Sequence, residues 1–260
     1  MKFGISTASL YPLETEKALE FLGKNNVAVT ELFFNSPREL EPEFITLLDK
    51  IRTHYGIQIV SVHPCGSVGE PYFMFSNYTR RYEDTFEYYK KYYYAASVLE
   101  AKTVVLHGDT LNGHIPMSEY CQRLLKMQEE AEKYSVGICH ENVNKFRGAR
   151  PNNILEIRKF TDDKIKFTLD IKQTVRDGCG FDAMYNAMKG NIINVHISDN
   201  NNDSDCMLPL AKGGEFNFDN LFSRLKSDGF DGACLIEVYR DAYKEYSELL
   251  EALAKVKNIH

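Results

Sequence analysis

The sequence predicts a closed (β/α)₈ barrel, on three observations: a length of 260 residues, eight short apolar runs rich in β-branched residues, and a helical segment after each run. One barrel of this kind takes ~250 residues. Regular alternation of strand and helix calls for parallel strands with right-handed crossovers, and eight such units close more readily than they form an open sheet. An open doubly wound sheet is the competing architecture, and no GxGxxG or GxxxxGK[ST] loop follows a strand to support it.

The runs are FGIST (3–7), VTELFF (29–34), IQIVSVH (57–63), TVVLH (103–107), VGICHE (136–141), IKFTLD (165–170), INVHIS (193–198) and ACLIEV (233–238). They lack the strict apolar and polar alternation of a half-exposed sheet, which is the pattern of strands covered on both faces. Helical spacing fills the intervals at 14–25, 42–55, 79–100, 118–134, 152–160, 181–189, 218–228 and 241–257. In the first of these, Ala18, Leu19 and Leu22 share one face while Glu16, Lys17, Glu20 and Lys24 face water. Turn signals such as Asp162–Lys164 separate each helix from the next strand. With no linker rich in Pro, Gly or Ser and no low-complexity tract, residues 1–260 read as one domain.

The tyrosine-dense stretch 78–101 could offer a stacking surface for bases, but its spacing argues for packing. Phe86, Tyr89, Tyr93, Ala96 and Leu99 recur at helical intervals and form the expected core face.

Hydrophobic residues make up 43% and charged residues 26%, the balance of a soluble globular protein with a sizeable core. A net charge of −6 supplies no broad basic face for phosphate backbones, so nucleic acid is disfavoured as a partner. The six cysteines are scattered without a CxxC pair, which suits reduced thiols and a cytoplasmic location. No signal segment opens the chain and no apolar window is long enough to span a membrane.

The ionisable residues fall in a pattern. Glu31 interrupts its strand, His63, His107, Glu141, Asp170 and Glu237 stand at or near strand ends, and His196 lies inside INVHIS. A lone acid or histidine in an apolar strand is usually a satisfied structural group, but seven at matching positions require a joint explanation. Burying unpaired carboxylates costs several kcal/mol each, and no Lys or Arg occupies an equivalent strand position. A metal supplies the missing positive charge at Glu141, Asp170, His196 and Glu237. The C-terminal strand ends of such a barrel ring one mouth, where its chemistry is placed. Oxygen and imidazole donors without thiolates suit Mn²⁺, Mg²⁺, Co²⁺ or Zn²⁺, and three carboxylates with one imidazole put Mn²⁺ first.

From GISTASL through ELFF, SVHPCG, VVLHGD, CHENV, TLDIKQ, VHISDN and LPLAKGGEFNF to LIEVY, the chain resembles the xylose-isomerase-like TIM barrel superfamily. That group includes D-tagatose 3-epimerase, inosose dehydratase and endonuclease IV. The resemblance implies that Glu141, Asp170, His196 and Glu237 hold the catalytic metal, and that Glu141 and Glu237 move protons on opposite faces of the substrate. It also implies that His63 and His107 either hold a second metal with Glu141 or hydrogen-bond substrate or the groups that surround the ligands. No other cofactor is implied.

Two positions depart from the family pattern. Gln173 stands where Asp-x-x-His would place a histidine, and its amide can orient a hydroxyl but cannot titrate near neutral pH. Asp205-Cys206-Met207 replaces the Asp-x-His of the third zinc site in endonuclease IV. The expected function is therefore isomerisation or epimerisation of a small sugar, sugar phosphate or polyol-derived ketone through a metal-bound enediolate. Elimination by a dehydratase or lyase on a related keto-sugar is the alternative, followed by an abasic-site endonuclease and a degenerate binding subunit. Substrate choice is expected to lie in loops 64–80, 108–118, 143–152 and 199–217. Lys212-Gly213-Gly214-Glu215 within the last of these reads as a turn before a helix. Homo-oligomerisation through the outer helices is a further expectation.

Overall fold

A computed structural model of the chain describes residues 1–65 and 69–259, so residues 66–68 of the expected 64–80 loop, together with His260, lie outside the described residues. Eight strands form: β1 (Lys2–Ser6), β2 (Val29–Phe34), β3 (Gln58–Pro64), β4 (Thr103–Leu106), β5 (Gly137–Glu141), β6 (Lys166–Asp170), β7 (Ile192–Ile197) and β8 (Ala233–Ile236). Each pairs in parallel with the next, and β8 pairs with β1, closing the barrel in sequence order. The expected fold class is the observed one.

The helices between them are α1 (Thr15–Lys24), α2 (Pro42–Tyr55), α3 (Gly69–Tyr72), α4 (Thr79–Val98), α5 (Met117–Glu132), α6 (Pro151–Phe160), α7 (Ile171–Asp177), α8 (Phe181–Met188), α9 (Phe218–Ser227) and α10 (Tyr246–Asn258). Local chemistry sets their ends. Helix α2 begins on Pro42, whose missing N–H costs nothing in a first turn, and stops at Gly56 in the left-handed region at φ 66°. Helix α10 starts at 246 instead of 241, because Glu245 and Glu248 form a reciprocal capping box there and residues 240–242 turn as a 3-10 helix.

Each helix lays its apolar stripe on the barrel. Ala18, Leu19 and Leu22 of α1 are buried as expected, as are Tyr89, Tyr93 and Ala96 of α4 and Leu99 just beyond its end, while Phe86 is half-buried. Removing a leucine-sized side chain from water contributes roughly 1.5–3 kcal/mol, so this shared core carries the fold. It leaves the polar groups to the strand ends.

Between β6 and β7 the sequence expectation of one helix is corrected to two. Asp170 caps α7 by accepting the Gln173 backbone N–H at 3.1 Å, and Gly178 ends it at φ 71°. Polar side chains pack this short helix toward the mouth, which hides it from a search for apolar periodicity.

The 199–217 loop is organised by Asp199, which is buried and accepts backbone N–H groups from Asn200, Leu210 and Phe216. Gly214 passes so close that a Cβ would stand 2.2 Å from Asp199 Oδ2. The glycine pair is thus part of a turn, as expected.

Candidate metal centre

Register brings the predicted residues together. Asp170 on β6 pairs with His196 on β7, Glu141 ends β5, and Glu237 directly follows β8. The side chain of Asn142 clamps two of these strand ends, accepting the Asp170 N–H at 2.7 Å and donating to the Asp170 carbonyl at 2.9 Å. One donor atom each from Glu141, Asp170, His196 and Glu237 lies within 4.8 Å of the other three. His63, His107 and Glu141 form a second such group, and Glu31, His63 and Glu237 a third.

His196 is the hinge of the first group. Its Nδ1 lies 3.0 Å from Glu237 Oε2, 3.3 Å from Glu141 Oε1 and 3.7 Å from Asp170 Oδ2, while Nε2 faces Glu31 at 3.2 Å. Glu31 is wholly buried and is held by Ser61 Oγ at 2.7 Å and Ser6 Oγ at 3.2 Å. When Nε2–H donates to Glu31, the Nδ1 lone pair is turned toward three carboxylates. Glu31 thus stands behind His196 in the way a carboxylate orients a ligating imidazole.

The donor set fits a divalent cation. Glu237 Oε2 is buried, and among the described residues no hydrogen bond of good geometry reaches it, although His196 Nδ1 lies 3.0 Å away. At the second group, His63 Nδ1 donates to the Pro64 carbonyl at 2.9 Å, which leaves Nε2 facing Glu141 at 3.4 Å and His107 Nε2 at 3.2 Å. His107 Nε2 in turn is 3.0 Å from Glu141 Oε2. Acceptors converge at both places and need a proton or a metal ion between them.

The titration behaviour reflects the same demand. Burial opposes protonation of His63, but Glu141 and Glu31 outweigh it and carry the ring up to about 9. Burial likewise opposes a charged His196, and Glu237 and Glu31 nevertheless hold it well above the ordinary imidazole range. Glu141 is driven well below the ordinary carboxylate range, because hydrogen bonds from His107, His196 and His63 overcome the desolvation of its charge.

Among the described residues no Lys or Arg stands at a C-terminal strand end, as expected, but a basic residue reaches the ring from a helix. Lys172 is buried among these groups, its ammonium in contact with Asp170 Oδ2 and 2.9 Å from Glu237 Oε1. It arrives from the first turn of α7 and not from a strand, so a survey of strand ends overlooks it. The sequence signal was the Asp170 cap with Gly178 eight residues on, which marks a short helix with Lys172 in its first turn.

Glu31, which interrupts its strand, also joins the ring from the layer below through His196 Nε2. Gln173 is buried, accepts the Asn144 N–H at 3.0 Å through Oε1 and lines the pocket. Asp205 does not approach the ring; it makes a two-pronged ion pair with Arg176, at 2.5 and 3.0 Å. His140, the neighbour of Glu141, points away from the mouth and meets the Tyr120 hydroxyl at 2.5 Å.

Above the ring lies a cavity of about 290 Å³, lined by His63, Lys172, Gln173, Glu237 and Tyr239 among others. That is near the lower end of the ~300–1,000 Å³ typical of small-molecule sites. A hollow of about 370 Å³ at the opposite end of the barrel has none of these convergent groups. All six cysteines are free thiols, and Cys139 is buried below the ring, 3.1 Å from Thr168 Oγ1. Among the described residues no helix is long and apolar enough to cross a membrane.

A closed eight-stranded barrel with acids and histidines gathered at its C-terminal mouth defines the class, and the chain belongs to the xylose isomerase-like TIM barrel family, whose model matches residues 19–256. Among individual relatives, the uncharacterized protein MJ1311 of Methanocaldococcus jannaschii is 30% identical over 276 residues, covering 99% of this chain and 91% of that protein. A solved D-tagatose 3-epimerase-like protein is 28% identical with a TM-score of 0.77 and 99% of both chains covered. The D-psicose 3-epimerase of Clostridium cellulolyticum H10, solved with D-tagatose, superposes with a TM-score of 0.79 over 100% of this chain and 99% of its own. At 14% identity, that last likeness is one of fold.

Proposed function

We propose that this protein is a divalent-metal-dependent epimerase or isomerase of a small ketose or a close derivative. The observation that carries the proposal is the convergence of Glu141, Asp170, His196 and Glu237 within 4.8 Å on the floor of a monosaccharide-sized pocket. The full-length likeness to a D-tagatose 3-epimerase-like protein supports the same reading.

In this reading the four residues hold one cation, with Mn²⁺ the first choice for a set of three carboxylates and one imidazole. When bound, the ion supplies positive charge that acidifies a C–H beside a carbonyl and steadies the resulting enediolate. The chain's own groups do the rest. Glu141 and Glu237 stand at the ends of different strands at the pocket floor, and each is suited to take or return a proton at the carbon between them. His63 and His107 converge on Glu141 Oε2, which fixes that carboxylate and leaves its other oxygen to the ring. Gln173 orients a hydroxyl through its amide, and Tyr239 closes the pocket wall.

The salt bridge between Asp205 and Arg176 commits to structure the acid that a third zinc site would need, which argues against an endonuclease. The test is incubation with free and phosphorylated 2-ketohexoses and 2-ketopentoses in the presence of Mn²⁺, Mg²⁺, Co²⁺ or Zn²⁺, with products read by NMR and mass. An isomer of unchanged mass that disappears with chelator is expected. Loss of water would move the assignment to a dehydratase, and no product from any sugar would refute the proposal.

A further inference from the structure

Asp170 can offer the ring only one oxygen. Its Oδ1 is committed to the N-terminus of α7 through the Gln173 N–H at 3.1 Å, which leaves Oδ2 to face His196 at 3.7 Å. Oδ2 is also the atom that the Lys172 ammonium touches. The same ammonium lies 2.9 Å from Glu237 Oε1, and only 2% of Lys172 is exposed. A divalent cation on Asp170 would sit ~2.0–2.6 Å from that same oxygen. Two like charges sharing one buried oxygen repel strongly in a weakly screened interior.

On the reading of the ring as a metal centre, we propose that Lys172 is its resident counter-ion and competes with the metal for Asp170 Oδ2. Loading the ion moves the ammonium off Oδ2 and Glu237 Oε1 toward the pocket, where the Tyr239 ring already lies 5.8 Å away. The metal then replaces a cation that the chain carries itself. Asp170 and Glu237 thereby keep a positive partner at all times. Removing that partner leaves uncompensated charge, which a bound ion relieves more fully than it does in the parent.

Lys172→Met in the full-length protein tests this by calorimetric titration with Mn²⁺ after chelator treatment. The variant is expected to bind Mn²⁺ about tenfold more tightly than the parent, or tighter still, and to gain a larger rise in melting temperature on adding the ion. Equal affinity and equal thermal shift in both proteins would overturn the competition while leaving the metal centre standing. Binding by neither protein would overturn the metal centre as well.

If Lys172→Met does not fold without metal, Lys172→Gln carries the titration, because its amide still bonds the carboxylates without charge. A crystal of the parent protein soaked in Mn²⁺ gives an independent reading. An ion on Asp170 Oδ2 with Lys172 Nζ beyond hydrogen-bonding distance supports competition, and ion and ammonium together on that oxygen refute it.

Discussion

Replacing Glu31 by glutamine removes one buried charge while keeping the shape of the side chain, so it isolates what that carboxylate does for His196. In the parent, Glu31 accepts Ser61 Oγ at 2.7 Å and Ser6 Oγ at 3.2 Å, and it faces His196 Nε2 at 3.2 Å. The amide can keep a hydrogen bond to Nε2–H but no longer polarises the ring toward the acids on its far side. Loss of such an orienting partner typically weakens metal binding 10–100-fold, or ~1.4–2.8 kcal/mol. The assay is competition of Mn²⁺ between the protein and a chromogenic chelator, with circular dichroism to confirm an unchanged fold. Affinity within about twofold of the parent would refute the orienting role, because the nearest imidazole of the ring would then be indifferent to the charge behind it.

Arg147 and Asp109 form a buried ion pair at 3.1 Å, and Arg147 also donates to the carbonyls of Gly113 and Ile115, joining the loops after β4 and β5. Arg147→Met is expected to lower the unfolding free energy by ~3–5 kcal/mol in urea, since it strands Asp109; a loss below 1 kcal/mol would contradict this. Tyr93 is fully buried, yet among the described residues its hydroxyl has no hydrogen-bond partner. Tyr93→Phe should therefore leave thermal stability unchanged or raise it by ~1 kcal/mol, and a clear loss would mean the hydroxyl is satisfied.

The hydrogen bond from Arg176 holds the Asp205 carboxyl below its usual value of 3.8. A depressed carboxyl stabilises the fold above its unfolded value and loses that contribution as pH falls through the folded one. The stability difference between parent and Asp205→Asn should thus be flat at neutral pH and shrink below about pH 3.8, staying under ~1 kcal/mol for so exposed a pair. A difference that grew on acidification would have the wrong sign.

Strand positions were legible because a strand buried on both faces needs a continuous apolar run, and the ring was legible because ionisable groups recurring at the strand ends of a closed barrel converge on one mouth. Asp170, His196 and Glu141 could each be placed from the strand that carries them. Lys172 could not, since it sits on a seven-residue helix whose inward face is polar, and apolar spacing is blind to such a segment. Glu31 was visible in its strand but not in its role, because the serines that hold it come from β1 and β3, 25 and 30 residues away. Asn142 was missed for a related reason: it bonds the Asp170 backbone, and only the paired register of β5 and β6 brings the two within reach.

The central claim is that one cation and two proton-moving glutamates share the barrel mouth. Solvent-deuterium incorporation into a ketose substrate, measured on Glu141→Gln and Glu237→Gln alongside the metal content of each protein, tests it most directly. Retained metal with exchange reduced at least ~100-fold in both variants is the predicted result. Parent-like exchange in either variant, or in the parent stripped of metal, would contradict it.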